Sequence, residues 1–145
     1  MSTDYIKIEF PSRSANEAFA RTAVACFAAR LDPTLDELSD IKTAVSEAVT
    51  NCIVHGYPDS IGTVWLRARI DGDGKLEIVV RDKGVGISDI EKARQPMFTT
   101  GGEERSGLGF TIMESFMDSV RVRSLPGKGT TIFMSRKLAL RRTSK

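Results

Sequence analysis

Only two cysteines and a single histidine occur in this 145-residue chain. Cys26 and Cys52 stand alone within apolar helical patterns, with no C-x-x-C pair, so neither a disulfide framework nor a structural zinc site is expected. Both read as buried thiols. No apolar run is long enough to span a bilayer, and the opening MSTDYIKIEF carries Asp4 and Lys7. A membrane anchor and a signal peptide are therefore not expected, and the cytoplasm is the expected compartment. An excess of one charge sign is missing as well: 21 basic residues stand against 19 acidic ones. That balance gives no reason to expect direct nucleic-acid binding, although the tail RKLALRRTSK is locally basic. Familiar phosphate motifs are also absent. There is no G-x-G-x-x-G, no HRD and no DFG, and GKGTT at 127–131 lacks the upstream glycine of a Walker A loop.

What remains is ordinary globular material, 41% hydrophobic and 28% charged. It suits a single domain over residues 1–145, with a tail from about 136. A chain of this length buries roughly 70% of its surface on folding. Ile6, Ile8 and Phe10 alternate with polar neighbours, the mark of a strand that Pro11 ends. Ser14 to Glu17 reads as a capping box before a helix that buries Ala20, Ala23, Val24, Phe27, Ala28 and Leu31. Asp32 and Pro33 predict the cap of a second helix over 33–55, with Gly56 as its left-handed stop.

Two alternating runs, TVWLRARI and KLEIVV, joined by DGDG, predict a hairpin. A short helix near 88–94 and a polar, glycine-bearing lid follow, then helical spacing through Leu108, Ile112, Met113 and Phe116. A second hairpin turns at PGKG. About five strands with about three main helices between them predict an α/β two-layer sandwich: a mixed, mostly antiparallel sheet covered on one face.

Three clusters stand out. Glu47, Asn51 and His55 recur every fourth residue and so share one helical stripe. Asp82 ends a buried strand ahead of Gly84 and Gly86, and Ser106, Gly107 and Gly109 sit where the polar loop meets a helix. Glycines entering a helix can offer bare N–H groups to a phosphate. An aspartate beside glycines can accept a hydrogen bond from an exocyclic amino group such as that of adenine. An asparagine oxygen suits Mg²⁺ shared with phosphates, and a carboxylate one turn away can take a proton from an attacking hydroxyl. Each piece also has a plainer reading. A lone G-x-G is a common loop, Glu47 and Asn51 can be a solvated helix edge, and His55 can simply meet the helix dipole.

In order, EAVTN, DKGVG and SGLGF resemble the N, G1 and G2 boxes of the ATPase superfamily shared by gyrase, a heat-shock chaperone, histidine kinases and a mismatch-repair protein. The resemblance implies a Bergerat-type ATP-binding fold. Asn51 would hold Mg²⁺, Asp82 with Gly84 and Gly86 would bind adenine, and Gly107 and Gly109 would close over the triphosphate of ATP or ADP. Thr130 in GTT would support Asp82. His55, Ser106, Leu108 and Phe110 fall inside the same motifs, Thr99 and Thr100 would add hydroxyl contacts to phosphate, and Arg105 would neutralise charge on the γ-phosphate. Glu47 would orient or deprotonate the attacking hydroxyl.

From NEAFAR through LDPTLDEL, HGY and ARQPMFTT to RSGLGFTIMESFMD, the chain closely resembles the family of anti-sigma F factors of endospore-forming bacilli, which are serine kinases. That implies a homodimer that holds sigma factor F and phosphorylates a serine of an anti-anti-sigma protein. Arg21, on the outer face of the first helix, is expected either to dock these partners or to be simply solvated. An ATP-gated binding module without phosphoryl transfer is the competing expectation. A detached histidine-kinase domain is less consistent, because no phospho-acceptor helix pair is present.

Overall fold

The computed structural model describes residues 4–87 and 109–138. Strands β1 (Asp4–Pro11), β2 (Thr63–Ile70), β3 (Lys75–Asp82), β4 (Ser119–Leu125) and β5 (Gly129–Lys137) form one open sheet in the order β1-β2-β3-β5-β4. Every described pairing is antiparallel, the far end of the mostly antiparallel arrangement expected. Helices α1 (Ala15–Ala28), α2 (Leu35–Thr50) and α3 (Phe110–Phe116) complete the two-layer sandwich.

The core follows from the period-2 pattern of the strands. Val64, Leu66, Ala68 and Ile70 of β2 and Leu76, Ile78 and Val80 of β3 all point to the helices, where Val24, Phe27, Ile41, Val45 and Val49 meet them. Because β5 lies between β3 and β4, the end of β3 stands beside the start of β5, with Asp82 opposite Thr130. This topology brings two distant motifs together at one end of the sheet.

Several local expectations are corrected. Ser14 is already helical and makes no side-chain cap; its intended partner Glu17 is taken by Arg21 instead. The capping box forms at Thr34, whose hydroxyl accepts from the Glu37 N–H at 3.0 Å while the Glu37 side chain accepts from the Thr34 N–H. Such a cap contributes about 1 kcal/mol. Asp32, expected as the cap, is left-handed at φ 54° and closes the short 3₁₀ turn Ala29–Leu31.

Cys26 is exposed rather than buried, because it lies off the face that Ala20, Val24, Phe27 and Ala28 present to the core; Cys52 is buried as expected. On α3 the buried positions are Phe110 and Met113, and Ile112 turns outward. β5 runs on to Lys137, and Leu138 is buried, past the expected start of the tail. The short helix and lid expected within 88–107 lie outside the described residues.

Candidate functional site

Helix α2 carries Glu47 and passes at Asn51 into a π-helical turn, Asn51–Gly56. The expected straight helix ending in a left-handed glycine is thus replaced by a widened turn, a form that recurs at functional sites. Glu47 is half-buried in α2, Asn51 is buried, and His55 is half-buried near the end of the π turn. Gly56 is not left-handed; it is needed for a close approach. A Cβ there would lie 2.6 Å from the Asp82 carboxylate, and a Cβ on Gly84 would lie 1.8 Å from the Gly56 carbonyl oxygen. The helix end and the turn after β3 therefore touch backbone to backbone, locked by the Val85 N–H donating to the Gly56 carbonyl at 2.9 Å.

Asp82 is 2% exposed. Its Oδ1 accepts from the N–H of Gly84 at 2.8 Å and of Thr130 at 3.2 Å. Its Oδ2 is buried and meets no N–H or O–H donor among the described residues; the Cys52 thiol beside the carboxylate is only a weak donor. Burial raises the Asp82 pKa above its ordinary 3.8, opposed by the Gly84 N–H. A buried carboxylate oxygen without a donor is costly. It is the acceptor that an exocyclic amino group would satisfy, so the residues present fit an adenine nucleotide. Nearby, burial pushes the Cys52 thiol well above its ordinary value, with the Asp82 charge adding to it.

Thr130 supports Asp82 through its main-chain N–H rather than its hydroxyl, which instead bonds Ser124 at 2.8 Å. Ser124 also accepts from the Ile87 N–H at 2.7 Å and donates to the Gly129 carbonyl at 3.0 Å. Gly86, left-handed at φ 78°, lies in the turn held this way. Tyr57 clamps the other side: its hydroxyl donates to the Thr63 carbonyl at 2.7 Å and accepts from the Lys83 N–H at 2.8 Å. Neither Ser124 nor Tyr57 was legible as a site residue. The only signal was the Tyr that follows His55-Gly56.

At the opposite end of the site, Gly109 opens α3 in the left-handed region at φ 78°, where a Cβ would lie 2.5 Å from Glu47 Oε1. A glycine of the third motif is thereby brought against the carboxylate of the first. Phe110 follows, but its ring is wholly buried in the core, which leaves only its main chain for a ligand. Glu47 and Arg21 line one cleft of about 270 Å³ between α1 and α2, together with Ser39, Lys42, Thr43 and Ser46. Arg21 is bonded to both Glu17 oxygens, at 3.0 and 2.8 Å. Burial, and then the Glu17 charge, raise the Glu47 pKa above its ordinary 4.5. Thr99, Thr100, Arg105, Ser106, Gly107 and Leu108 lie outside the described residues.

The fold and this site define a class, a nucleotide-binding ATPase domain of the histidine-kinase type. The histidine kinase-like ATPase domain family matches residues 10–136. Two solved structures share the architecture. The blue-light activated histidine kinase of Erythrobacter litoralis EL346 superposes with a TM-score of 0.59 at 20% identity, over 84% of this chain and 42% of that one. Full-length ShkA in complex with AMPPNP gives 0.58 at 18% identity, over 88% of this chain and 30% of that one. The chain spans less than half of either, and the likeness carries the fold.

Relatives named anti-sigma F factor are far nearer. Those of Thermoanaerobacter sp. (strain X514) and Geobacillus kaustophilus are each 58% identical, over 92% and 91% of this chain and 94% and 91% of their own lengths. That of Pasteuria penetrans is 54% identical over 95% of this chain and 93% of its own. The chain belongs to the histidine kinase-like ATPase domain family and, within it, to the anti-sigma F factors.

Proposed function

We propose that this protein holds sigma factor F inactive and, as a serine kinase, transfers the γ-phosphate of ATP to a serine of an anti-anti-sigma protein. The observation that carries the reading is the shared cleft in which a half-buried carboxylate of raised pKa, Glu47, stands beside Arg21 on a surface open to a protein partner. The name shared by the relatives, anti-sigma F factor, supports the sigma-factor partner.

The residues divide the work. Asp82 Oδ2 would accept a hydrogen bond from the amino group of the base, the carboxylate being held in place by the Gly84 and Thr130 N–H groups. Asn51 would hold Mg²⁺, which commonly keeps several waters and shares substrate phosphates rather than needing an all-protein cage. Among the described residues no group of three or more His, Cys, Asp or Glu is placed to hold a metal ion alone. ATP, when bound, would supply the phosphoryl group, and Mg²⁺ would supply neutralising charge. Glu47 takes the proton from the acceptor hydroxyl at its carboxylate oxygen, a task that its raised pKa suits better than an ordinary carboxylate would. Arg105, Thr99 and Thr100, with the Ser106–Phe110 segment, complete the phosphate end. Arg21 docks the protein partners. Two copies form the working unit in the cytoplasm of a sporulating cell, with the edge strand β1 as the pairing surface; sedimentation of the purified chain tests the dimer.

The decisive experiment uses γ-labelled ATP and Mg²⁺ with the protein and the anti-anti-sigma partner, beside Glu47→Ala and Asn51→Ala. Label should reach a partner serine, and removal of a general base should slow transfer by about 100-fold or more while ATP still binds. ATP binding with no label on the partner would favour an ATP-gated clamp instead.

A further inference from the structure

The sheet face turned away from the helices carries a second surface, remote in kind from the nucleotide site. A depression of about 550 Å³ lies across it, with Trp65, Val79 and Phe133 on its floor. Four basic side chains, Lys7, Arg67, Arg81 and Arg123, line it against one acidic side chain, Glu9. The whole chain is nearly balanced, at 21 basic against 19 acidic residues, so this face gathers positive charge that the rest of the molecule offsets.

The strand register explains the arrangement. Trp65 stands opposite Arg81 in the β2–β3 pair, and Phe133 stands opposite Arg121 in the β4–β5 pair. Each ring carries two cations: Arg81 at 5.0 Å and Lys83 at 5.3 Å over Trp65, and Arg121 at 5.0 Å and Arg123 at 5.6 Å over Phe133. Lys7 and Arg67 are direct cross-strand partners, a like-charge pairing that works against the sheet. Among the described residues none of Lys7, Arg67, Arg81 or Arg123 belongs to an ion pair. Uncompensated like charge around an apolar floor is relieved by an anionic partner that also covers the floor.

We infer that this open face docks an acidic segment of a protein partner, one in which carboxylates four residues apart flank an apolar side chain midway between them, all three on one face of an extended chain. Arg67 on β2 and Arg123 on β4 are separated by three strand spacings and by two residues along the strand, roughly 16 Å. An extended chain spans about 14 Å between residues i and i+4, whose side chains share a face, so with the reach of the side chains themselves carboxylates at that interval meet Arg67 and Arg123 while the apolar side chain at i+2 faces Val79. A nucleic acid fits less well. Its bases would have to displace cations that already cover both rings, and Glu9 would face its phosphates. Guanidinium groups, by contrast, match planar carboxylates in a bidentate fork.

The test is fluorescence anisotropy with a labelled peptide of about twelve residues, a Glu-Ala-Leu-Ala repeat that sets Glu and Leu on one face when extended, read against the wild-type protein and the double variant Arg67→Glu with Arg123→Glu. ADP binding on the helix side reports that each protein is folded. The peptide should bind, weaken as salt is raised, and lose about tenfold or more in affinity to the variant. If the double reversal loses ADP binding, the milder pair Arg67→Gln with Arg123→Gln is read instead, with the same loss expected. Absent or unchanged peptide binding overturns the inference. So does tighter binding of a single-stranded oligothymidylate. A variant that turns a sedimenting dimer into a monomer would assign the face to a second copy of the chain and overturn it equally.

Discussion

The two ends of the nucleotide site are made of different material. Around Asp82 nearly every contact is main chain: the Gly84 and Thr130 N–H groups on Oδ1, the Val85 N–H on the Gly56 carbonyl, and glycines where any Cβ would collide. Around Glu47 the cleft is lined by side chains on helix surfaces, Arg21 and Lys42 among them, and is open to solvent, with main chain closing in only at Gly109. A backbone-built pocket is organised before any ligand arrives and tolerates little change. A side-chain cleft can be rearranged by whatever docks on it. The first suits a ligand that never varies, and the second suits a site that has to respond to protein partners.

Substitutions should separate the ends by size of effect. Asp82→Asn keeps the shape of the pocket. However, an amide that continues to accept from Gly84 and Thr130 turns its NH₂ toward the place of the ligand's amino group, leaving two donors face to face. Two unsatisfied polar groups cost about 3 kcal/mol, roughly 100-fold in affinity, which calorimetry with ADP would read. The fold itself should not suffer at neutral pH. A carboxyl whose pKa is raised by folding favours the folded state below its ordinary 3.8 and opposes it as pH rises through the raised value, and the amide removes that opposition. A loss below fivefold would mean that Asp82 does not anchor the base and that the contrast between the ends is wrong.

Tyr57→Phe probes the same end more gently. The ring stays against Gly62, where a Cβ would lie 2.2 Å from it, but the Thr63 and Lys83 bonds disappear. With water able to reach this half-buried hydroxyl, the loss should be about 1 kcal/mol, near fivefold in nucleotide affinity. ADP and ATP should be affected alike, because the clamp acts at the base end. A change confined to ATP would place the effect at the phosphates instead.

How far the sequence carried the fold depended on what each feature needs. The in-and-out alternation of the strands was legible because one face is buried, so Val64, Leu66, Ala68 and Ile70 could alternate in only one way. Asn51, Asp82 and Gly84 were legible because their motifs are local. The π turn was not, since nothing in NCIVHG distinguishes a widened turn from an ordinary one. Thr34 to Glu37 was a capping box in plain view, yet Asp32-Pro33 just before it offered an equally good start, and only the left-handed Asp32 decides between them. Tyr57 and Ser124 act across 26 and 37 positions of chain, and the meeting of Arg21 with Glu47 needs two helices to pack. Tertiary contacts of that kind leave no periodic trace.

The subtlest expected effect lies at the side-chain end. Glu47 shares its cleft with Arg21 from α1 and Lys42 from its own helix, feels the charge of Glu17 on α1, and abuts the neutral Gly109 turn that opens α3, whose sole charged residue, Glu114, is exposed. Glu17 is the charge that raises the Glu47 pKa beyond what burial does. Glu17→Gln removes it, so the Glu47 pKa should fall toward its ordinary 4.5. As a base, Glu47 works only when ionised, so phosphoryl transfer is lost as pH falls through its pKa, and in the variant that acidic limb should move to lower pH. Transfer at neutral pH should change little, and ADP affinity not at all, because the Asp82 end is built separately. A pH profile of transfer for the two proteins, taken with an acceptor in excess, reads the shift directly. An acidic limb that stays in place would show that burial alone sets the Glu47 pKa, and that α1 influences the site through docking without tuning the base.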